Sequence, residues 1–198
     1  MKLEPITLTG QHISLQPLSL DHTHDLRDAA AIDDLWKLTV TTIPAPSEME
    51  NYIETTLRAQ ADGQVLPFAI YHRGLGRAIG STRYLNLRLK DRGLEIGGTW
   101  LAKPWQRTAV NTEAKYLLLR HAFETLRCLR VEFKTDVLNE RSRRAIERIG
   151  GKQEGVFRKH MIMPGGRVRD SVYYSIIDEE WPSVKASLEM RLAGPEPR

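Results

Sequence analysis

The sequence predicts an α+β fold built on a mixed sheet, mostly antiparallel, with one central parallel strand pair. Three observations predict it. Residues 66–101 read as three strand-like runs, 66–72, 77–87 and 94–101, separated by Arg73-Gly74-Leu75-Gly76 and Lys90-Asp91-Arg92-Gly93. Links that short and turn-rich mean an antiparallel meander. The period then changes: an amphipathic segment over 112–126 carries the chain to a strand at 130–137, so the strands flanking it run parallel with a right-handed crossover. Finally, 152–163 and 168–177 flank Pro164-Gly165-Gly166-Arg167, a hairpin turn in which glycine supplies the positive φ.

The remaining elements fill in around that frame. Residues 12–18 alternate Ile13 and Leu15 with polar neighbours, a half-buried strand whose Pro17 marks an edge or an end. Residues 19–31 follow as a helix; its His22 and His24 lie two apart and diverge on a helical surface, so they make a poor metal pair. Ser47-Glu48-Met49-Glu50 has the form of a capping box and opens a helix to about residue 61, which Asp62-Gly63 ends. On the long helix, Ala114, Leu117, Leu118, Ala122 and Leu126 form one apolar face, widened by Leu119 and Phe123, while Glu113, Arg120, Glu124 and Arg127 gather on the other. Lys115 falls inside the apolar face, where it either snorkels to water or sends its ammonium to a phosphate or an acidic strand residue. A short basic helix precedes Gly150. Asp178 can cap a last helix with Pro182 in its first turn, running to about residue 192, and residues 193–198 read as a disordered tail.

The 198 residues are enough for one domain over 1–192 with a sizeable core. Hydrophobic residues are 41% and charged residues 27%, and no apolar run approaches bilayer length. The first ten residues lack an apolar signal core, so the cytoplasm is the default location. One cysteine, Cys128, can form neither an internal disulfide nor a cysteine-rich metal site and reads as a buried structural thiol. The net charge of +4 favours anionic partners. Its one local excess, Arg141, Arg143, Arg144 and Arg148, forms no continuous helical stripe and suits a small polyphosphate better than a nucleic-acid tract.

The chemistry concentrates between Glu95 and Gly150. Strand 95–101 runs into Lys103-Pro104-Trp105-Gln106-Arg107-Thr108-Ala109-Val110-Asn111, and the helix expected from about Thr112 turns its unpaired first-turn N–H groups toward that loop. Such a helix start binds phosphate. Neither GxGxxG nor GxxxxGK[ST] occurs, and there is no GxSxG elbow, HExxH pair or EF-hand loop.

In order and in register, EIGGTWL, PWQRTAVNTEAK, VEFKTD, NERSRRAIERIG, EGVFRKH and RVRDSVYYSI resemble the acyl-CoA-binding core of the GCN5-related N-acetyltransferases, and in detail the RimJ/RimL-type branch. The resemblance covers roughly residues 10–180. One departure stands out: the family pattern (Q/R)xxGx(G/A) becomes Gln106-Arg107-Thr108-Ala109-Val110-Asn111, with Ala109 where a glycine is expected. Alanine adds only a methyl, so pyrophosphate can still approach the amides if Ala109 keeps a negative φ.

The resemblance implies helices on both faces of the sheet and a parallel pair that splays apart, with the pantetheine arm of acetyl-CoA lying in the wedge. It implies that Trp100, Leu101 and Ala102 face that arm through their backbone, and that Gln106, Arg107, Thr108, Ala109, Val110, Asn111 and Thr112 hold the pyrophosphate. Asn139 matches the asparagine that bonds the arm near its thiol end, although Asn-x-x-Ser is equally a good helix N-cap. Ser142 matches a serine suited to protonating the departing CoA thiolate, or is simply a first-turn residue. Acetyl-CoA is then the cosubstrate, no metal is required, and an acetyl group passes directly to a primary amine of a protein N-terminus, a peptide or a small molecule.

Attack of an amine on a thioester needs a proton acceptor and oxyanion donors. Glu95 is the candidate base, with Glu132 and Asp136 as weaker ones; backbone amides near Leu101 are the candidate oxyanion donors. The acceptor would be shaped by the N-terminal helices, the link over 39–46 and the hairpin at 164–167, with Trp36, Tyr52, Tyr84 and Trp105 as possible lining. Two other classes stay open: a catalytically silent acyl-CoA-binding module, and a ribosome- or nucleic-acid-associated protein, whose binding would fall steeply with salt. Many relatives in the branch pair as dimers, so a homodimer is a further expectation, and no membrane partner is expected.

Overall fold

The computed structural model describes residues 3–37 and 40–194. Among the described residues, eight strands form one sheet in the order β1-β2-β3-β4-β5-β6-β8-β7. They are β1 (Leu8–Thr9), β2 (Ile13–Pro17), β3 (Leu66–His72), β4 (Arg77–Arg88), β5 (Gly93–Leu101), β6 (Arg130–Asp136), β7 (Lys152–Ile162) and β8 (Val168–Ile177). Every neighbouring pair is antiparallel except β5 and β6, which run parallel as the crossover argument requires. The helices are α1 (Thr23–Ala31), α2 (Met49–Ala61), α3 (Ala109–Arg120), α4 (Glu140–Arg148) and α5 (Trp181–Ala193).

Alternation along the strands sorts the sheet into two faces. One carries Phe68, Ile70, Tyr84, Leu94, Ile96, Val131, Phe133, Val172, Tyr174 and Ile176, all buried against Leu117, Leu118 and Leu119 of α3 and Leu188 of α5. The other packs α1 and α2 over its N-terminal strands through Leu26, Ala30, Met49 and Ile53 against Ala69, Ala78 and Trp100. Helices thus cover both faces, because strands buried on both sides need apolar partners on both.

Several local expectations are corrected. Ser47 caps nothing: Pro46 starts a 3₁₀ turn over Pro46–Glu48, and α2 begins at Met49 with no side-chain cap. The reciprocal capping box occurs instead at Ser19 and His22. Helix α3 starts at Ala109, earlier than the expected Thr112, because Thr108 takes the N-cap and accepts from the Val110 amide. The segment continues past Arg120 as a π turn, His121–Thr125, where Tyr84 donates its hydroxyl to the Leu118 carbonyl at 2.7 Å. Glu113 does not face solvent. It is 3% exposed, and its carboxylate accepts from the amides of Gln11, His12 and Ile13, so α3 is fastened to the turn between β1 and β2. Asp178 does not cap α5 either: the N-cap is Glu180, whose carboxylate accepts from the Ile177 amide. Ala193 belongs to α5, and residues 195–198 of the expected tail lie outside the described residues.

Candidate active site

The parallel pair parts early. Gly93, Leu94 and Glu95 sit opposite Arg130, Val131 and Glu132, and there the pairing stops. Beyond that point β5 continues along β4 as far as Leu101, and β6 continues along β8 as far as Asp136. The β5 edge from Ile96 to Leu101 is left without a β6 neighbour, a slot between two strands with backbone hydrogen-bonding groups on its wall.

Two irregularities in the β4–β5 ladder shape that slot. On β5, Gly98 and Thr99 together face Thr82, a bulge in which Gly98 takes φ +57°. On β4, Asn86 and Leu87 together face Leu94, and Asn86 takes φ +48°. Bulges re-aim side chains. Here the second one directs the Asn86 amide onto Glu95, Nδ2 donating to Oε2 at 2.6 Å.

Glu95 is 2% exposed, on the face opposite Leu94 and Ile96 as alternation requires. Burial pushes its carboxyl above the usual carboxylate range; Lys134 at 3.8 Å and the Asn86 hydrogen bond pull against this, and Glu132 adds to the rise. The other two carboxylates are differently placed. Glu132 is clamped by Arg88 at 2.9 Å and Arg130 at 2.8 Å; burial pushes its carboxyl up, but these partners outweigh it and leave it low. Asp136 is fully buried, ion-paired with Arg167, and accepts from the Leu138 amide. Glu95 therefore has a raised proton affinity where Glu132 has a lowered one.

At the mouth of the slot, the loop after β5 leads into α3. Arg107, not Ala109, adopts the left-handed conformation, at φ +64°. Ala109 is already helical, so the missing glycine is not needed for backbone conformation. The remaining first-turn amides have no intrahelical acceptor. Gln106 donates to the Leu101 carbonyl at 2.8 Å and accepts from Arg141 of α4 at 2.6 Å, linking the two banks of the slot. Ala102 has its N–H on the Ile79 carbonyl and its C=O on the Trp105 amide, so both of its backbone groups are engaged. Asn111 and Thr112 fall within the first helical turn of α3.

On the opposite bank, Asn139 is the N-cap of α4, its Oδ1 accepting from the Ser142 amide at 3.0 Å. That bond leaves the Asn139 Nδ2 group available and fixes Ser142 on the first turn. The Ser142 hydroxyl has no hydrogen-bond partner among the described residues.

Lys115 is buried. Its ammonium neither snorkels out nor meets an acid, but donates to the Thr99 hydroxyl at 2.5 Å, which in turn lies 2.8 Å from the Thr82 hydroxyl. Burial pushes it down to about 7. Of the aromatics, Tyr84 is core, Trp105 packs at a tilt against His72 with ring centroids 4.2 Å apart, and Tyr52 accepts from Arg83 at 2.7 Å; the Trp36 side chain lies outside the described residues. Cys128 is 1% exposed and burial pushes its thiol up to about 11, as suits a structural thiol. Sequence reading missed Asn86 of β4 and Lys134 of β6, which both reach Glu95, and Arg83 of β4, which reaches Tyr52 of α2. The positive φ of Asn86 sits beside the Lys90-Asp91-Arg92-Gly93 link, and only that turn-like composition hinted at it.

The chain matches the model of the Acetyltransferase (GNAT) domain over residues 12–152. It is 34% identical over 144 residues to YdaF of Bacillus subtilis, provisionally named a ribosomal N-acetyltransferase, a match that takes in 71% of this chain and 76% of that one. Among solved structures, a GCN5-related N-acetyltransferase from Brucella melitensis superposes with a TM-score of 0.88 at 29% identity, covering 98% of this chain and 88% of the other. Mycobacterium smegmatis RimJ, solved with CoA-disulfide, shares the fold at a TM-score of 0.80 and 20% identity, over 94% and 95% of the two chains. A split parallel pair with a helix start at its mouth, on a chain with these relatives, places the protein in the GNAT family of N-acetyltransferases.

Proposed function

We propose that the chain, acting as one domain over 1–192, moves an acetyl group from acetyl-CoA directly to a primary amine. The observation that carries this reading is the early parting of β5 from β6 with a raised-affinity carboxyl at the fork. The arm of acetyl-CoA would hydrogen-bond the open β5 edge at Trp100 and Leu101, with Asn139 Nδ2 donating to it from the other bank. Its pyrophosphate would rest on the first-turn amides of α3 from Ala109 to Thr112, with Gln106, Arg107 and Thr108 shaping the loop.

Glu95 accepts a proton from the incoming ammonium, directly or through one water. The free amine then attacks the thioester carbonyl, and the oxyanion is met by backbone amides of the open edge near Leu101. As the tetrahedral adduct collapses, the C–S bond breaks, the nitrogen gives up its second proton to water, the Ser142 hydroxyl gives its proton to the departing thiolate, and solvent returns a proton to Ser142 and takes the one held by Glu95. No covalent enzyme intermediate is needed, since holding amine and thioester in line supplies the advantage. YdaF, by its provisional name, points to a ribosomal protein terminus as one acceptor to try.

The test is CoA release from acetyl-CoA against a panel of peptides with different free N-termini, polyamines, aminoglycosides and amino acids. Acceptor-dependent release that collapses in Glu95→Gln supports the reading. Acetyl-CoA binding without transfer to any member would leave only the binding module, and no binding at all would defeat the proposal.

A further inference from the structure

Beside Glu95 lies a cation that the reaction just described does not use. Arg83 on β4 stands directly across from Gly97 of β5, on the same face as Glu95. Its Nη2 donates to the Tyr52 hydroxyl at 2.7 Å and its guanidinium lies over the Tyr52 ring, 5.4 Å from the centroid. No carboxylate pairs with it among the described residues, and its Nε is buried without a hydrogen-bond partner. A half-buried guanidinium left that way is costly unless something else supplies the missing acceptor.

Gly97 and Gly98 form the floor between the two charged groups. A Cβ on Gly97 would meet Leu85 Cδ2 at 2.9 Å and Glu95 Oε1 at 3.2 Å, and one on Gly98 would come within 2.5 Å of Arg83 Nε. Gly98 also holds φ +57°, which side chains resist. Without side chains at these two positions the Glu95 carboxyl and the Arg83 guanidinium both lie close over the strand, the carboxyl over Gly97 beside Leu85 and the guanidinium over Gly98. Tyr52 fixes the guanidinium from α2, so its remaining donors are pre-aimed and lose little entropy on binding.

We propose that Arg83, oriented by Tyr52, binds a carboxylate carried close to the acceptor's amine, so that the acceptor bridges the two groups with its amine at Glu95 and its carboxylate at Arg83. The inference rests on the reading of Glu95 as the base-side end of the acceptor site. It makes Arg83 a specificity residue, since it holds the acceptor and takes no part in proton transfer. The carboxylate can belong to a free amino acid or to an acidic residue next to a peptide N-terminus; both present the same pair of groups.

The experiment measures CoA release at saturating acetyl-CoA over matched acceptors: amino acids against their amides, and short peptides with Asp or Glu against the same peptides with Asn or Gln at the second position. Wild type, Arg83→Gln, Arg83→Lys and Tyr52→Phe are compared, with acetyl-CoA affinity by calorimetry as the check on folding. The expected result is a kcat/KM roughly tenfold or more higher for the carboxylate member of the pairs turned over, the size of a charge-assisted hydrogen bond. In Arg83→Gln that preference disappears through KM, while the neutral members change by less than about threefold. Arg83→Lys recovers part of the preference, and Tyr52→Phe weakens it. Amino-acid and peptide arms distinguish the two sources. Transfer with no carboxylate preference in wild type, or a preference that survives in Arg83→Gln, overturns the proposal and leaves acetyl transfer standing. Failure of every acceptor overturns both.

Discussion

The two faces of the sheet around β5 and β6 use the same strands for opposite purposes. Toward α3 and α5 the strands present Leu94, Ile96, Val131 and Phe133, all but closed to solvent and packed into one apolar layer. Toward the other side the same strands present Glu95, Glu132, Lys134 and Asp136, four ionisable groups within two neighbouring strands. Period-two alternation makes this division free of conflict: a residue cannot serve one face without its neighbour serving the other. The apolar face sets where the strands lie, and the charged face inherits that precision.

The sharpest way to break the comparison is on the charged side. Glu95→Gln should cut transfer by about 10² to 10⁴, the range for loss of a general base, while acetyl-CoA binding measured by calorimetry stays close to wild type. In the wild type the rate should rise with pH as the elevated Glu95 carboxyl loses its proton, and the variant should lose that acid limb. A cut of only a few-fold would assign Glu95 to structure. On the apolar side Leu118→Ala should cost about 2–5 kcal/mol in denaturant unfolding, because the fully buried site cannot collapse around the lost atoms.

Lys115 blurs the division, since it is a cation on the apolar side, and removing it sharpens the contrast. The folded chain releases its ammonium proton near pH 7, whereas the unfolded chain holds it to the ordinary value of 10.5. Between those values the unfolded state binds more protons, so stability climbs with pH across that window and is lowest below it. Lys115→Met should flatten the climb and raise the melting temperature at or below neutral pH, unless loss of the Thr99 hydrogen bond outweighs the gain. A melt series from pH 6 to pH 10 reads this directly. The smallest effect expected is for Asn139→Ala, about 1 kcal/mol of stability for the lost cap. If Asn139 also holds the arm, acetyl-CoA affinity drops as well, and calorimetry separates the two.

The strands and their connections were legible because their information is local. Arg73-Gly74-Leu75-Gly76 and Pro164-Gly165-Gly166-Arg167 punctuate the chain wherever it turns, and the change from alternation to helical period after Leu101 dictates the parallel pair. The slot itself was legible only in outline. Glu95 could be set on the correct face by alternation, but the bulges that bring Asn86 to it and open Gly97–Gly98 beneath Arg83 depend on register between strands. Nothing in the β4 or β5 sequence alone states that register. Ser47 misled because Pro46 before it favours a 3₁₀ turn, and Glu113 misled because its partners are backbone amides some hundred residues earlier.

That last contact bears on how the chain is made. Glu113 closes onto Gln11, His12 and Ile13 across a sequence separation of about 102 residues. During synthesis the first strands leave the ribosome long before α3 exists, and pairing that spans so much chain forms late. Until it forms, the Glu113 carboxylate and the amides of the 10–13 turn stay hydrated. The N-terminal edge of the sheet is therefore locked by the same helix whose first turn stands at the mouth of the slot, so completion of the cosubstrate cradle and closure of the N-terminal strands become one event in the life of the nascent protein.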